Sequence, residues 1–240
     1  MQYAIVTGGT KGIGKGIIAA LLKRNYFVYT NYAFDDTAAI ESEAYFKSIN
    51  SNVRVIKADQ SNQEEFDKFI QLVKAEVPHI NCLILNTGAT IRKSIEETSN
   101  EDWEKIMQIN LNSHFYMIRD LKPLIHENGR IIFMGSLLGN NAHATSLAYG
   151  VTKAAIHALS RNLVKYFEGT NTTVNTIAPG FVETEWQKDK PLEIRNNIYA
   201  KSAIKRFAEV EEIVSACMFI IDNGFVNGTV IEVTGGYSYK

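Results

Sequence analysis

Cysteine, net charge and long apolar runs are all scarce in this 240-residue chain. Its two cysteines, Cys82 and Cys217, lack the spacing of metal ligands and lie in apolar segments, which indicates structural thiols rather than a disulfide framework or a metal site. Because 25 basic residues nearly balance 26 acidic ones, nothing in the charge favours nucleic acid or an anionic membrane as a partner. No apolar run approaches the roughly 18–20 residues that span a bilayer.

No targeting segment is expected either. Residues 1–6 enter an apolar strand directly, without a basic segment or a small-residue cleavage site, so we expect a cytoplasmic protein. A hydrophobic fraction of 45% and a charged fraction of 21% are ordinary for a globular protein with a substantial core. The length fits one large α/β domain or two small ones.

A glycine-rich turn follows the first predicted strand, residues 3–7, and precedes a helical pattern that continues to residue 25. Glycines let a backbone approach phosphates closely, and the helix N-terminus supplies free N–H groups. The turn therefore predicts a pyrophosphate site. Its spacing, Gly8-x-x-x-Gly12-x-Gly14, differs from the usual Gly-x-Gly-x-x-Gly, and a simple tight turn is the alternative.

The second predicted strand, residues 27–31, bears on the choice of cofactor. NAD-preferring folds usually place a carboxylate near its end, where this chain has Asn31 and Tyr32. Lys11 in the glycine-rich turn adds a positive charge, so the 2′-phosphate of NADP is favoured. Asp35 and Asp36 either cap the next helix, residues 37–49, or face the ribose and weaken that preference.

The third and fourth predicted strands end in polar turns. Residues 53–58 lead to Asp59, which can accept a hydrogen bond from an adenine amino group or merely shape the turn. A capping box of Ser61 and Glu64 is expected to begin the following helix. The apolar run 81–85 is typical of a central parallel strand, and it ends at Asn86, where doubly wound sheets place their ligand crevice.

A long helix is predicted to begin at Thr98 or Ser99 and to carry Asn110, an unfavourable residue in mid-helix that is usually a solvated surface residue. The fifth predicted strand, residues 129–134, ends at Gly135 and Ser136. Here a serine hydroxyl can donate a hydrogen bond to a substrate carbonyl oxygen.

Tyr149 and Lys153 are one turn apart on a predicted helix and therefore share a face. A nearby ammonium favours the phenolate and draws the pKa of the tyrosine toward working pH. The spacing alone is weak, since a packed tyrosine beside a solvated lysine is the more common arrangement.

Taken in order, these motifs resemble those of the short-chain dehydrogenase/reductase family over essentially the whole chain, up to Gly235-Gly236. The resemblance rests on Thr7-Gly8-x3-Gly12-x-Gly14, Asp59, Asn86-x-Gly88, Asn110, Ser136, Tyr149-x3-Lys153 and Pro179-Gly180. It implies a single α/β domain over residues 1–240, a Rossmann-type doubly wound sheet of seven parallel strands with helices on both faces.

The resemblance also implies a catalytic set. Tyr149 would be the acid/base, Ser136 would orient the carbonyl, Lys153 would bind the nicotinamide ribose and lower the tyrosine pKa, and Asn110 would hold a water that relays protons to Lys153. No metal is expected. The expected cofactor-binding residues are Gly8, Thr10, Lys11, Gly12, Ile13, Gly14, Asn31, Tyr32, Asp59, Gln60, Asn86, Gly88, Tyr149, Lys153, Pro179, Gly180, Val182 and Thr184.

Among family members the chain is most similar to the 3-oxoacyl-acyl-carrier-protein reductases of fatty acid biosynthesis. NADPH-dependent reduction of a 3-oxoacyl-type thioester is therefore expected, with acyl carrier protein as a possible partner. Glu127 and Thr170 stand where that group usually has basic residues; Arg92, Lys93 or the cluster Lys201, Lys205 and Arg206 can substitute. The alternatives are a reductase or dehydrogenase of another ketone, a sugar or a polyketide-like compound, or a non-catalytic relative that binds NADP.

Two further expectations concern the surroundings of the site. Residues 87–92, 137–143 and 181–207 should wall the pocket. Residues 183–207, with Trp186, Pro191, Leu192, Ile194 and Ile198, form a lid, an oligomer contact or an ordinary surface helix. The resemblance implies a homotetramer built on helices 101–126 and 146–168, with Phe115, Tyr116, Tyr166 and Phe167 as contacts. Leu85 replaces a polar residue of the family pattern, although the turn after it should persist.

Overall fold

A computed structural model describes residues 1–142 and 146–237 of the chain. Its seven strands are all parallel and lie in the order β3-β2-β1-β4-β5-β6-β7, which confirms the predicted doubly wound sheet. The strand order reverses between β1 and β4, the place where such sheets bind ligands. The strands are β1 (Gln2–Val6), β2 (Tyr26–Tyr32), β3 (Val53–Lys57), β4 (Ile80–Leu85), β5 (Ile125–Met134), β6 (Thr173–Pro179) and β7 (Val230–Val233).

Helices cover both faces of the sheet, as predicted. Successive residues of β4 point to opposite faces, so Cys82 and Ile84 join one core while Leu83 and Leu85 join the other. Burial on both faces explains the unbroken apolar run of this strand. None of the helices within the described residues is long and apolar enough to cross a membrane. They are α1 (Gly12–Lys23), α2 (Asp36–Ile49), α3 (Gln63–Glu76), α4 (Asn100–Met107), α5 (Ser113–Leu121), α6 (Leu147–Leu163), α7 (Leu192–Lys201) and α8 (Val210–Asp222).

The helix starts confirm two capping predictions and correct a third. Asp35 caps α2 by accepting from Ala38 N, and Ser99 begins α4 with a capping box. The predicted box of Ser61 and Glu64 is wrong, because α3 begins one residue later. Its cap is Asn62, whose side chain accepts hydrogen bonds from the backbone of Glu64 and Glu65.

The long helix predicted after Ser99 is interrupted and shorter than expected. A π-helical turn, Gln108–Asn112, separates α4 from α5, and a 3₁₀ turn, Lys122–Leu124, follows α5. Strand β5 begins at Ile125, so the prediction that the helix reaches His126 is wrong. Pro123 lies in the 3₁₀ turn, where its missing N–H and fixed φ end the α-helical hydrogen bonding.

Candidate active site

A cleft of about 340 Å³ opens at the carboxyl ends of the central strands. The sheet brings the strand ends together there, so residues far apart in sequence share its walls. Fifteen of the predicted site residues line the cleft: Gly8, Thr10, Lys11, Gly12, Ile13, Tyr32, Asn86, Gly88, Ser136, Tyr149, Lys153, Pro179, Gly180, Val182 and Thr184.

The glycine-rich turn forms an anion cradle at one end of this cleft. Gly8 has φ +64° and Gly12 has φ +49°, conformations that favour glycine. Helix α1 begins without a side-chain cap and without an acidic residue in its first turn, so its N–H groups are available to a phosphate. Gly14 contributes by packing, since a Cβ there would lie 2.5 Å from the Gly8 carbonyl oxygen. This geometry fits the pyrophosphate of a dinucleotide.

Hydrogen bonds of Asn86 connect the end of β4 to the end of β1. Its Nδ2 donates to the carbonyl oxygens of Thr7 at 2.9 Å and Gly8 at 3.1 Å. The Thr7 hydroxyl accepts in return from the backbone N–H groups of Asn86 and Thr87, each at 3.0 Å. Leu85 is fully buried just before this turn, and the turn forms as expected.

Five predicted site residues lie outside the cleft lining. The side chain of Asn31 accepts from Gly8 N at 3.3 Å and donates to Ala58 O at 2.8 Å, so it shapes the glycine-rich turn from behind. Gln60 donates to the Ser113 hydroxyl, and Asp59 accepts from Ser61 N. Gly14 packs against Gly8, and Asn110 is fully buried.

Several residues that the sequence did not single out as binding residues line the cleft. Phe34 is 83% exposed directly after β2, and such an exposed aromatic beside a predicted nucleotide site is a usable signal. Asp35 caps α2 and also forms an ion pair with Lys11, which lowers the pKa of its carboxyl. The full set is Ala33, Phe34, Asp35, Thr87, Met134, Gly135, Glu185, Trp186 and Gln187. Of these, Thr87 and residues 185–187 fall in the predicted wall segments 87–92 and 181–207, whereas residues 138–142 line a neighbouring pocket.

Ser136, Tyr149 and Lys153 meet at the inner end of the cleft. Ser136 lies two residues after the end of β5. Its hydroxyl oxygen accepts a hydrogen bond from Leu138 N at 3.2 Å. Lys153 Nζ lies 5.4 Å from the centroid of the Tyr149 ring. The lysine is only 2% exposed, and burial lowers its pKa to about 8.

Burial has the opposite effect on the tyrosine. It raises the pKa of Tyr149 to about 12, and a hydrogen bond with the Ser136 hydroxyl opposes the rise. The resemblance implies that Lys153 lowers the pKa of Tyr149. In the chain without cofactor, burial outweighs any such effect and the pKa is raised. A phenol with this pKa holds its proton at neutral pH and can donate it to a far more basic alkoxide oxygen.

Asn110 holds the neighbouring elements together from the π-helical turn. Its Oδ1 accepts from Ala89 N at 2.8 Å, while Nδ2 donates to Ala89 O at 2.9 Å and to the Thr152 hydroxyl at 3.0 Å. The side chain therefore ties the loop after β4 to helix α6. This buried role explains a mid-helix asparagine that would otherwise be expected on the surface.

The segment after β6 covers the tyrosine. The Trp186 ring lies edge-on to Tyr149, with ring centroids 6.4 Å apart. Arg195 of α7 pairs with the Glu183 carboxylate at 2.7 and 2.8 Å and donates to Gln187 O at 2.8 Å, which fixes the turn that carries Trp186.

The predicted pocket wall 137–143 is described only in part, because residue 143 lies outside the described residues.

Comparison with known proteins gives matches over nearly the full length. A family profile described as enoyl-(acyl carrier protein) reductase matches residues 8–238. A 2-dehydro-3-deoxy-D-gluconate 5-dehydrogenase of Pseudoalteromonas atlantica is 29% identical over 98% of this chain and 95% of its own length. A 3-oxoacyl-acyl-carrier-protein reductase of Haemophilus influenzae is 28% identical over 98% of this chain and 97% of its own.

The fold has close counterparts among solved structures. A blue fluorescent protein from a metagenomic library, solved in complex with NADPH, superposes with a TM-score of 0.92 over 99% of this chain and 98% of its own. At 23% identity, that likeness establishes the fold alone.

Proposed function

The chain belongs to the short-chain dehydrogenase/reductase family of oxidoreductases, and from that premise we propose that it reduces the ketone of a 3-oxoacyl-type thioester with NADPH. The observation that carries the proposal is the meeting of Ser136, Tyr149 and Lys153 in the cleft that also holds the uncapped N-terminus of α1. One end of the cleft is built for phosphates and the other for proton transfer to an oxygen.

A bound nicotinamide would supply the hydride, and the residues of this chain would orient and protonate the substrate oxygen. The Ser136 hydroxyl donates a hydrogen bond to the carbonyl oxygen and orients it toward the Tyr149 phenol. As negative charge develops on that oxygen, Tyr149 donates its proton. The Lys153 ammonium, fixed beside the phenol ring, stabilises the phenolate that remains.

The charges around the second strand support NADPH as the favoured cofactor. Lys11 lines the cleft, and the end of β2 offers the Tyr32 ring where NAD-preferring folds usually have a carboxylate. Asp35 opposes this preference because it pairs with Lys11. A 2′-phosphate would therefore compete with Asp35 for Lys11. We expect the chain to prefer NADPH and to accept NADH as well.

An apolar pocket beside the cleft supports an acyl substrate. It has a volume of about 830 Å³, and its lining includes Ser146, the residue before α6, and Gly150, the residue after Tyr149. Leu138, Leu147 and Val151 contribute apolar walls that suit an aliphatic chain. Ser94, Glu96, Asn140 and Asn141 line the same pocket and can hydrogen-bond the polar part of a substrate.

Docking of acyl carrier protein has less support. Of the basic residues that can replace the missing arginines, Lys93 pairs with Asp102 at 2.5 Å and Arg206 pairs with Glu212 at 2.7 Å. Lys205 donates to Ala200 O. Arg92 is exposed and has no partner among the described residues. We therefore favour a thioester of a small carrier over one that requires a docked protein.

A substrate panel with NADPH tests the proposal. We expect 3-oxoacyl thioesters to be reduced faster than simple ketones, keto-sugars and quinones at equal concentration. A preference for keto-sugars would favour a function like that of the gluconate-type relative. If no compound oxidises NADPH, while NADPH still binds, the chain is a non-catalytic relative.

We also propose a homotetramer in the cytoplasm, with helices α5 and α6 at a dimer interface. Phe115 on α5, 44% exposed, and Tyr166 in the 3₁₀ turn Val164–Phe167 that follows α6, 68% exposed, support this. Phe167 is buried in the chain's own core, and Tyr116 packs against that core, so they have less surface to offer a partner.

The proposed cytoplasmic location is supported by the two cysteines. Both are free and buried, which suits a reducing compartment.

A further inference from the structure

The ring of His157 packs against the serine turn, residues 136–139. His157 follows Lys153 by one turn of α6 and is only 2% exposed. A Cβ added to Gly135 would lie 2.5 Å from its Nε2, and a Cβ added to Gly139 would lie 2.5 Å from its Cε1. The imidazole therefore occupies the space that side chains at these two glycines would need, and it supports the serine turn at both ends.

The position of the serine turn relative to α6 matters for the site. Ser136 is the N-cap of a 3₁₀ turn, and its hydroxyl and carbonyl oxygens accept from backbone N–H groups of that turn at 3.2 and 3.0 Å. Bonds within the turn cannot set its position relative to Tyr149, which lies on α6. His157 is on the same helix as Tyr149, so its contact with the turn relates the two catalytic hydroxyls.

Hydrogen bonds connect His157 further to strand β7. Its Nδ1 lies 3.2 Å from Asn140 Oδ1, and Asn140 Nδ2 donates to a carboxylate oxygen of Glu232 at 2.5 Å. Asn140 directly follows the serine turn, and Glu232 lies in β7, at the edge of the sheet. This bridge therefore joins helix α6, the end of the serine turn and an edge strand.

The chemistry of Glu232 determines which ring nitrogen of His157 carries the proton. A carboxylate can only accept, so the Asn140 amide turns its Nδ2 toward Glu232 and its Oδ1 toward His157. An amide oxygen can also only accept, so His157 must carry a proton on Nδ1. Nε2 is then the bare nitrogen, and it is buried without a hydrogen-bond partner among residues 1–142 and 146–237.

The surroundings of His157 keep its ring neutral. Burial and the positive charges of Arg161 and Lys153 lower the pKa of His157 to about 4, although Glu232 opposes this effect. A neutral imidazole has a single N–H, which the bridge to Asn140 uses. At neutral pH the ring is therefore a packing group with one directed hydrogen bond rather than an acid.

We propose that His157 is a positioning residue for Ser136, held in its Nδ1–H tautomer by the bridge through Asn140 to Glu232. The ring holds the serine hydroxyl at the distance from Tyr149 that a shared substrate oxygen requires. His157 lines neither the cleft nor the neighbouring pocket, so it acts through Ser136 rather than on a ligand. The inference rests on the proposed reduction, in which both hydroxyls act on one carbonyl oxygen.

Nitrogen NMR tests the tautomer without any turnover. The chain has five histidines, so nitrogen-15 labelling of histidine alone gives few signals, and those missing in a His157 variant belong to His157. We expect a protonated Nδ1 and a bare Nε2 at neutral pH. In Glu232→Lys the new side chain can only donate, so the Asn140 amide should reverse and the proton should move to Nε2. An Nε2–H tautomer in the parent, or an unchanged tautomer in Glu232→Lys, would overturn the proposal.

A double-mutant cycle tests whether His157 acts through Ser136. His157→Leu keeps much of the volume of the ring and loses its hydrogen bond. We expect kcat to fall about tenfold while the Kd of NADPH stays within about twofold. In the Ser136→Ala background the same substitution should change kcat less than about twofold, because no hydroxyl is left to position. His157→Asn, whose amide N–H can replace Nδ1–H, should recover part of the loss.

Ile156→Val is the matched control for the cycle. Ile156 precedes His157 on α6 and is buried in the hydrophobic core, so its small effect on kcat should be the same in both backgrounds. Equal losses for His157→Leu in the parent and in Ser136→Ala would show that the histidine serves stability alone and would overturn the positioning role. If His157→Leu does not fold, Glu232→Lys on the exposed edge strand enters the same cycle, with an expected loss of about threefold.

A crystal structure of the His157 variant separates this inference from the proposed function. If the parent reduces no carbonyl compound, the proposed function fails and the cycle has no readout. The distance between the Ser136 and Tyr149 hydroxyl oxygens then decides, and we expect it to change by about 0.5 Å or more in His157→Leu or, if that variant does not fold, in Glu232→Lys. An unchanged distance would overturn the proposal.

Discussion

Lys153 donates a hydrogen bond from Nζ to the backbone carbonyl oxygen of Met134, at 2.6 Å. Met134 ends strand β5, and Ser136 lies two residues beyond it. One bond therefore ties helix α6, which carries the tyrosine, to the strand that delivers the serine. The bond thus fixes the distance between the helix that carries Tyr149 and the strand end from which Ser136 follows, which helps to keep the catalytic geometry rigid.

Loss of the phenol should abolish catalysis without loss of cofactor. In Tyr149→Phe the ring still packs beside Trp186, but the proton donor is gone. We expect kcat to fall by about 10²- to 10⁴-fold while the Kd of NADPH changes less than about twofold. The control Tyr45→Phe removes a phenol from the exposed face of α2 and should leave kcat unchanged. Full activity in Tyr149→Phe would refute the assignment of the tyrosine.

The pH profile of reduction should break near the pKa of Lys153. Burial lowers that pKa to about 8, so the ammonium is present below pH 8 and is lost as the pH rises through it. Tyr149, with a pKa of about 12, keeps its proton throughout this window. We expect kcat/KM to be level below the break and to fall about tenfold per pH unit above it.

Lys153→Arg is the control for that profile. An arginine stays charged throughout the accessible range, so the residual activity of the variant should show no break near pH 8. A break that persists in Lys153→Arg would assign the titration to another group.

Asp35 should set the balance between the two cofactors. In Asp35→Asn the ion pair with Lys11 is lost and the lysine is left for a 2′-phosphate, while asparagine still caps α2. We expect the preference for NADPH over NADH, measured as the ratio of the two Kd values, to rise about fivefold or less, the scale of one exposed charge pair. Lys11→Met should shift the ratio the other way. An unchanged ratio in both variants would show that this ion pair does not select the cofactor.

A charge on the exposed face of α5 should break up the proposed assembly. Phe115→Glu would bury a carboxylate if this face is a subunit interface, and we expect the mass in solution to drop below that of the parent. Ile40→Glu makes the same kind of change on α2, where isoleucine is 70% exposed, and should leave the mass unchanged. Light scattering after gel filtration measures both. An unchanged mass for Phe115→Glu would place the interface elsewhere or show that there is none.

Local patterns in the sequence predicted individual strands, helix starts and the glycine-rich turn, and their order along the chain gave the family resemblance from which the sheet and the central site were expected. The apolar run of β4, the glycine-rich turn before α1 and the spacing of Tyr149 and Lys153 are short-range features, since each depends on backbone preferences or on residues within one helical turn. The doubly wound sheet of seven parallel strands was expected from the resemblance to the short-chain dehydrogenase/reductase family, which these features carry in part, and the structure confirms it.

Tertiary structure decided what these features contact. The sequence does not show that Asn110 holds Ala89, that Lys11 pairs with Asp35, or that Trp186 covers Tyr149, because each contact joins residues 21 to 37 positions apart. Nor does it show that burial, more than the neighbouring lysine, sets the pKa of Tyr149. Desolvation and distance depend on how elements pack, so they exist only once the sheet has brought the strand ends together.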